Sequence, residues 1–285
     1  MVVVRRSATA RRLTSVTIRS NDRVLVTGAA SGLGLALVRE LVRRGARVLA
    51  SDVADERPAV FDDLPGVAYR RLDVREDADW AAALEWVAAE WKGLDLLVNN
   101  AGVAAGGRME LTSIDQWQWI VDINLLGVVR GCRTFTPMMK GQRTGHLVNI
   151  ASAAGLVHPP RMTEYTSVKA GVVALSESLR YELAPYGVDV SVVCPTFFRT
   201  NLASSLRGND PDSKEGARRL IDESPMSADL IAGRVLAGVD ARRHVILTDR
   251  NGRLAYYAKR LARPLYDAVM LREGKKAAGR ETEVG

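Results

Sequence analysis

Residues 27–34 read Thr27-Gly28-Ala29-Ala30-Ser31-Gly32-Leu33-Gly34, a glycine-rich turn set between an apolar run and an amphipathic segment. Before it, Arg23-Val24-Leu25-Val26 has the composition of a short strand buried on both faces. After it, Leu35, Leu37, Val38, Leu41 and Val42 recur at helical spacing, and Arg43-Arg44-Gly45 supplies a stop. A turn of this kind lets backbone N–H groups and a helix N-terminus face a pyrophosphate. Its spacing is TGxxxGxG and not the GxGxxG dinucleotide fingerprint. A glycine loop that merely turns the chain is the plainer reading of the segment alone.

The next apolar run, Arg47-Val48-Leu49-Ala50-Ser51, ends at Asp52, 24 residues beyond Gly28. Dinucleotide folds place an acid about there to accept the adenosine ribose hydroxyls. A carboxylate would also repel the 2′-phosphate of NADP. No Lys or Arg lies within Gly28–Gly34 to offset it, and Arg57 is the nearest basic residue beyond the strand. NAD is therefore expected over NADP, against the alternative of an ordinary loop-capping Asp.

Further on stands Tyr165-Thr166-Ser167-Val168-Lys169, thirteen residues after Ser152. Residues four apart on a helix share a face. An ammonium there favours the phenolate and is expected to lower the tyrosine pKa from its ordinary value of about 10. Tyr165 thereby becomes a candidate general acid and base.

Taken in order, these segments resemble the short-chain dehydrogenase/reductase family over about residues 21–250. Asp73-Val74 stands where that family contacts adenine, and Asn99-Asn100-Ala101-Gly102 matches its NNAG motif. Asn124, within Asp122-Ile123-Asn124-Leu125, matches the family's helix asparagine. Pro195 through Thr200 matches PGxxxT, except that Thr196 replaces the glycine, which predicts a changed loop shape.

The resemblance implies a cofactor site at Gly28, Ser31, Gly32, Leu33, Gly34, Asp52, Asp73, Val74, Asn100, Ala101, Gly102, Pro195 and Thr200, with Tyr165 and Lys169 shared with catalysis. Tyr165 would exchange the substrate proton while Ser152 bonds the same oxygen. Lys169 would hold the ribose, and Asn124 would hold a water that links Lys169 to solvent. The implied reaction interconverts an alcohol and a ketone or aldehyde. A non-catalytic NAD(H) sensor on the same fold is the alternative, and the intact Ser152, Tyr165, Lys169 and Asn124 argue against it.

The chain's 285 residues and 47 % hydrophobic content suit one α/β domain with helices on both faces of a doubly wound parallel sheet. Strands are predicted near 23–27, 47–51, 67–72, 94–98, 147–151, 188–194 and 244–248. Helices are predicted near 32–44, 76–90, 113–139, 163–185, 227–238 and 253–270. Residues 196–226 form a long connection, expected to be a lid over the substrate. Phe197, Phe198, Leu202 and Leu206 open it, followed by the polar and expectedly mobile run Gly208–Ser213. With Leu156, Val157 and Met162 they predict an apolar substrate, unless they serve only the core. His158 has two readings, a cleft wall or a surface residue.

Cys132 and Cys194 lack metal or redox spacing, and His146, His158 and His244 lack metal-ligand spacing, so no metal is expected. The net charge of +7 is unevenly spread. Residues 1–20 and residues 250–285 carry +5 each, which leaves −3 on residues 21–249. That distribution argues against nucleic-acid binding by the body. Residues 1–20 fit a flexible basic leader, an organelle transit segment or an early start codon. No spanning helix is expected, and two thiols without CxxC spacing fit a reducing compartment, so a cytoplasmic protein is expected, with peripheral membrane association left open.

Trp117, Ile120, Val121, Leu125 and Val128, with Val172, Val173, Leu175 and Leu179, exceed what one sheet face needs and suggest a homodimer or homotetramer. The C-terminal extension, residues 251–285, repeats Leu254, Tyr257, Leu261, Leu265, Val269 and Met270 near helical spacing among basic residues. Packing on the body or a neighbouring subunit is the favoured expectation for that face. Peripheral contact with an anionic membrane is the alternative.

Overall fold

The computed structural model describes residues 18–282, so most of the expected leader lies outside the described residues. Seven parallel strands form one sheet: β1 (Arg23–Thr27), β2 (Arg47–Asp52), β3 (Ala68–Arg71), β4 (Leu96–Asn99), β5 (Gly145–Ile150), β6 (Val188–Val193) and β7 (Val245–Ile246). Their spatial order is β3-β2-β1-β4-β5-β6-β7. The order reverses between β1 and β4, which opens a crevice at the strands' carboxyl ends.

The central strands are buried on both faces, which explains the short apolar runs of β1, β2 and β4. Val24 and Val26 point to one core with Leu37 and Leu41 of α1 (Gly32–Arg43) and Ile231 and Val235 of α8 (Ala228–Asp240). Leu25 points to the other core. There it meets Val87 of α2 (Asp77–Glu90), Phe135 of α4 (Gly127–Gln142) and Val172 of α6 (Thr163–Leu183). Each such side chain, wholly removed from water, contributes roughly 1.5–3 kcal/mol before chain entropy is counted.

Three expectations need correction. The single helix over 113–139 divides into α3 (Ile114–Val121), a π-helical turn (Asp122–Leu126) that holds Asn124, and α4. The polar run Gly208–Ser213 is not a loose stretch, because Asp210 is wholly buried and caps α7 (Pro211–Asp222). The expected surplus for a partner is also largely consumed within the chain, where Ile120, Val128, Val172 and Val173 are buried.

The C-terminal extension departs furthest. One helix breaks at Ala262, beside Pro264, into α9 (Arg250–Leu261) and α10 (Arg263–Thr282). The packing expected on the body is overturned, since Leu254, Tyr257, Leu261, Leu265 and Val269 are all exposed. The body instead receives Lys259, which donates to the Leu156 carbonyl at 2.7 Å and to His158 Nδ1 at 2.6 Å. Buried Tyr266 donates to the Val157 carbonyl, and the Tyr256 ring packs at the edge of one core. No described helix is long and apolar enough to cross a membrane.

At the sheet's opposite end, His146 of β5 bonds Ser191 of β6 at 2.8 Å. The Ser191 hydroxyl donates to the Arg243 carbonyl at 2.7 Å, so Nε2 of the imidazole carries the hydrogen. Burial, aided by the charge of Arg242, pushes the His146 pKa down to about 3. Between pH 6.5 and 3 the unfolded chain takes up a proton that the folded chain refuses, so stability falls on acidification. At pH 5 this one group should cost about 2 kcal/mol. Urea titrations of wild type and His146→Gln should show a shallower acid decline in the variant; parallel declines would refute the assignment.

Candidate functional site

The glycine turn approaches its neighbours too closely for side chains. Gly28 has φ +61°, and a Cβ there would stand 2.7 Å from the Ala101 Cα. A Cβ on Gly34 would lie 2.0 Å from the Gly28 carbonyl oxygen. The turn is held by Asp52, whose carboxylate accepts from Ala30 N at 2.9 Å and Val53 N at 2.8 Å. Ser31 caps α1 without a side-chain hydrogen bond, which leaves the helix N-terminus facing a cavity of about 550 Å³. Ser31, Gly32, Arg39, Arg199 and Thr200 line it. These features fit a dinucleotide pyrophosphate: a cradle without Cβ atoms, orphan helix donors and nearby guanidinium groups.

Leu33, by contrast, is buried in the core and serves the turn by anchoring it. Asp73 is nearly buried, and its carboxylate is gripped by the Arg75 guanidinium at 2.6 Å, which holds it below the usual carboxylate range. Val74 follows it, also buried. Beyond β4, Asn100 donates to the carbonyls of Thr27 and Gly28 at 2.8 and 3.0 Å. Thr27 Oγ1 in turn accepts from the amides of Asn100 and Ala101. Thr27 is a supporting residue that sequence reading passed over, although it heads the glycine motif.

Lys169, Asn124 and Gly102 converge: a Cβ on Gly102 would meet Asn124 Oδ1 at 3.1 Å and Lys169 Nζ at 3.6 Å. The Asn124 amide bonds both backbone groups of Val103, accepting at 2.8 Å and donating at 2.9 Å. Buried Lys169 donates to the Ile150 carbonyl at 2.9 Å, and burial pushes its pKa down to about 8. Its Nζ stands 5.8 Å from the Tyr165 ring centroid.

The expected lowering of the Tyr165 pKa does not hold for the protein's own groups. Burial pushes the phenol above 10.0, and the hydrogen bond with Ser152 offsets that only in part. The helical spacing brings Lys169 to the same face, yet its ammonium is turned to Ile150, and with its pKa pushed down to about 8 it is neutral in the alkaline range where the phenol titrates.

Ser152 and Tyr165 open on a cavity of about 860 Å³ with predominantly apolar walls. Pro195, Phe197, Phe198, Leu202, Leu206 and Met162 line it, as do Val157 and Thr200. Sequence reading missed Ala104–Gly106 and the α7 wall at Leu220 and Ile221. The signal for α7 was present as Asp210-Pro211, a capping residue followed by proline at the first helical position. The connection 196–226 is stitched to the body: Arg108 N donates to Asp210 at 3.0 Å and Ala104 N to Ser205 Oγ at 3.1 Å. Leu156, grouped with the pocket in the sequence, and His158 are not among the cavity's lining residues. His158 is held at the rim by Lys259, and its pKa is lowered by burial and by that ammonium.

Thr196, the departure from the family pattern, also lines the cavity and donates to Asp249 Oδ2 at 2.8 Å. Asp249 is the N-cap of α9, so the altered residue ties the loop after β6 to the C-terminal extension. Cys132 and Cys194 are buried thiols pushed up to about 12, and no metal-ligand cluster occurs among the described residues.

The family model for short chain dehydrogenases matches residues 22–211, and the chain belongs to that family. Among curated relatives, the 3-alpha-(or 20-beta)-hydroxysteroid dehydrogenase of Mycobacterium tuberculosis is 38 % identical over 178 residues, 62 % of this chain and 68 % of that protein. The D-beta-hydroxybutyrate dehydrogenase of Rhizobium meliloti is 34 % identical over 185 residues, 62 % of this chain and 72 % of its own. A Burkholderia phymatum short chain dehydrogenase/reductase, solved in complex with NAD, superposes with a TM-score of 0.80 at 30 % identity. That match covers 86 % of this chain and 95 % of the other. The protein is thus a Rossmann-type oxidoreductase of the short-chain class.

Proposed function

We propose that the protein interconverts an apolar secondary alcohol and its ketone, or a primary alcohol and its aldehyde, with NAD(H). The observation that carries this reading is the placement of Ser152 and Tyr165 on the wall of the large apolar cavity, with Lys169 buried behind them. The relatives that bear hydroxysteroid and hydroxybutyrate names support an alcohol–carbonyl reaction. The cavity volume and walls favour the larger, more apolar kind of substrate.

When bound, the nicotinamide supplies a hydride acceptor or donor and, in its oxidised form, a positive charge. Tyr165 takes the alcohol proton during oxidation and returns it during reduction. Ser152 hydrogen-bonds the same substrate oxygen and holds it beside the phenol. Lys169 binds ribose hydroxyls and, with Asn124, forms the inner end of a proton path. Asp52 would accept from the adenosine ribose, Asp73 and Val74 would hold adenine, and Thr200 would bond the carboxamide. Homodimeric or homotetrameric assembly in the cytoplasm completes the proposal.

A panel of alcohols and ketones followed by NADH absorbance, with NADP(H) in parallel, tests the reaction. Tight NADH binding without turnover across the whole panel would point to the sensor reading instead.

Asp52 yields a separate prediction. NAD should be preferred over NADP, and Asp52→Ser should narrow the ratio of kcat/KM values by at least about tenfold, the effect of one removed like charge. The change should be smaller at high salt. A wild-type enzyme that favours NADP would contradict the assignment.

A further inference from the structure

We propose that the outward face of α9 and α10 docks on an anionic membrane surface. The proposal stands independently of the reaction assigned above. It rests on an inversion of polarity in these two helices. On α9, the residues turned to the body are Gly252, Tyr256 and Lys259, spaced along one face. The residues turned to water are Leu254, Tyr257 and Leu261, spaced along the other. Leu261 is 83 % exposed and Leu254 69 %. Beyond the break at Ala262, Leu265 and Val269, four apart on α10, are exposed as well.

An ordinary surface helix turns its leucines inward and its lysine outward. Here the only lysine of α9 is spent on the Leu156 carbonyl and His158, and the leucines are left outside. Large contiguous apolar surface on one flank of a protein marks a docking face.

Charge selects the occupant. Arg250, Arg253, Arg260, Arg263 and Arg272 accompany the stripe, and residues 250–285 carry +5 in all. Of the two acids within α10 up to Lys276, Asp267 is paired with Arg263 and Glu273 with Lys276. A second copy of this chain, docked through the same patch about a twofold axis, would set one arginine-rich row against another. An anionic lipid surface answers the positive charge and takes the apolar stripe into its headgroup boundary. The break at Ala262, beside Pro264, frees α9 and α10 from the constraint of one rigid rod.

The test uses the full chain, cosedimented with phosphatidylcholine vesicles that contain phosphatidylserine and with vesicles of phosphatidylcholine alone. Binding is expected to the anionic vesicles and to weaken with salt. The basic residues 1–20 could attract anionic vesicles through charge alone, so two variants assign the surface. Leu254→Ser/Leu261→Ser/Leu265→Ser removes apolar contact, and Arg253→Gln/Arg272→Gln removes charge; both leave the leader intact. Each should lower the partition coefficient by at least about tenfold. Turnover of a water-soluble carbonyl should be unchanged. Undiminished binding in either variant, or no binding by wild type at low salt, would overturn the proposal. So would a drop in oligomeric mass of the leucine variant in light scattering without vesicle binding by the wild type, because a second copy would then be the occupant.

Discussion

Tyr165→Phe is expected to lower turnover by about 10²–10⁴-fold while NADH binds nearly as before, the usual contribution of a positioned acid–base group. Phenylalanine keeps the ring and its packing and removes only the proton carrier. The Ser152 hydroxyl loses a partner but remains at the cavity wall. Because burial holds the phenol above 10.0, alcohol oxidation by the wild type should quicken as pH rises, since the base form is the deprotonated one. Carbonyl reduction uses the protonated phenol and should not gain from alkali. The variant should lose the alkaline rise together with its rate. Wild-type turnover in Tyr165→Phe would end the mechanism proposed here.

Lys169→Met should separate stability from function. The ammonium is buried, and its pKa is pushed from 10.5 down to about 8. At pH 7 the folded state therefore carries a charge at a cost of about 3 kcal/mol. That cost is present below pH 8 and fades as pH rises towards 10.5. Methionine fills similar space without it, although the bond to the Ile150 carbonyl is lost. The melting temperature at pH 7 should hold or rise. Turnover should nevertheless fall on the order of 10²-fold, and NADH affinity by about tenfold or more, the worth of one charged hydrogen bond. A variant that loses melting temperature and activity together would mark Lys169 as a structural support only.

Much of this molecule was legible before any coordinates. The strands fall near their predicted places, and β1, β2 and β4 do so because central parallel strands buried on both faces leave short apolar runs, a signature the edge strand β3, Ala68-Tyr69-Arg70-Arg71, lacks. Asn100, Ala101 and the glycine turn meet as their motifs implied.

The rest was hidden for identifiable reasons. Periodicity found the apolar stripe of α9 but could not say which face meets protein, since Lys259 gained two partners that lie a hundred residues away. Helix α7 was obscured by its polar composition, although the Asp210-Pro211 cap announced it. The π turn at Asn124 disturbs neither composition nor spacing enough to interrupt a helical reading. The tyrosine–lysine spacing gave proximity, whereas the pKa depends on burial and on where the ammonium points.

The hydrogen bond from Thr196 to Asp249 bears on how this enzyme can be redesigned. A residue facing the large cavity and the first cap of the extension form one unit, and Lys259 and Tyr266 secure the same extension to the carbonyls of Leu156 and of Val157, which lines that cavity. Deleting the tail would strip hydrogen bonds from both walls at once, so a shortened chain reports on the cleft as much as on the tail. Grafting the tail onto a relative with glycine at the equivalent of Thr196 would leave that bond unmade. The transplantable module is therefore discontinuous: residues 195–198, 152–158 and the two terminal helices travel together.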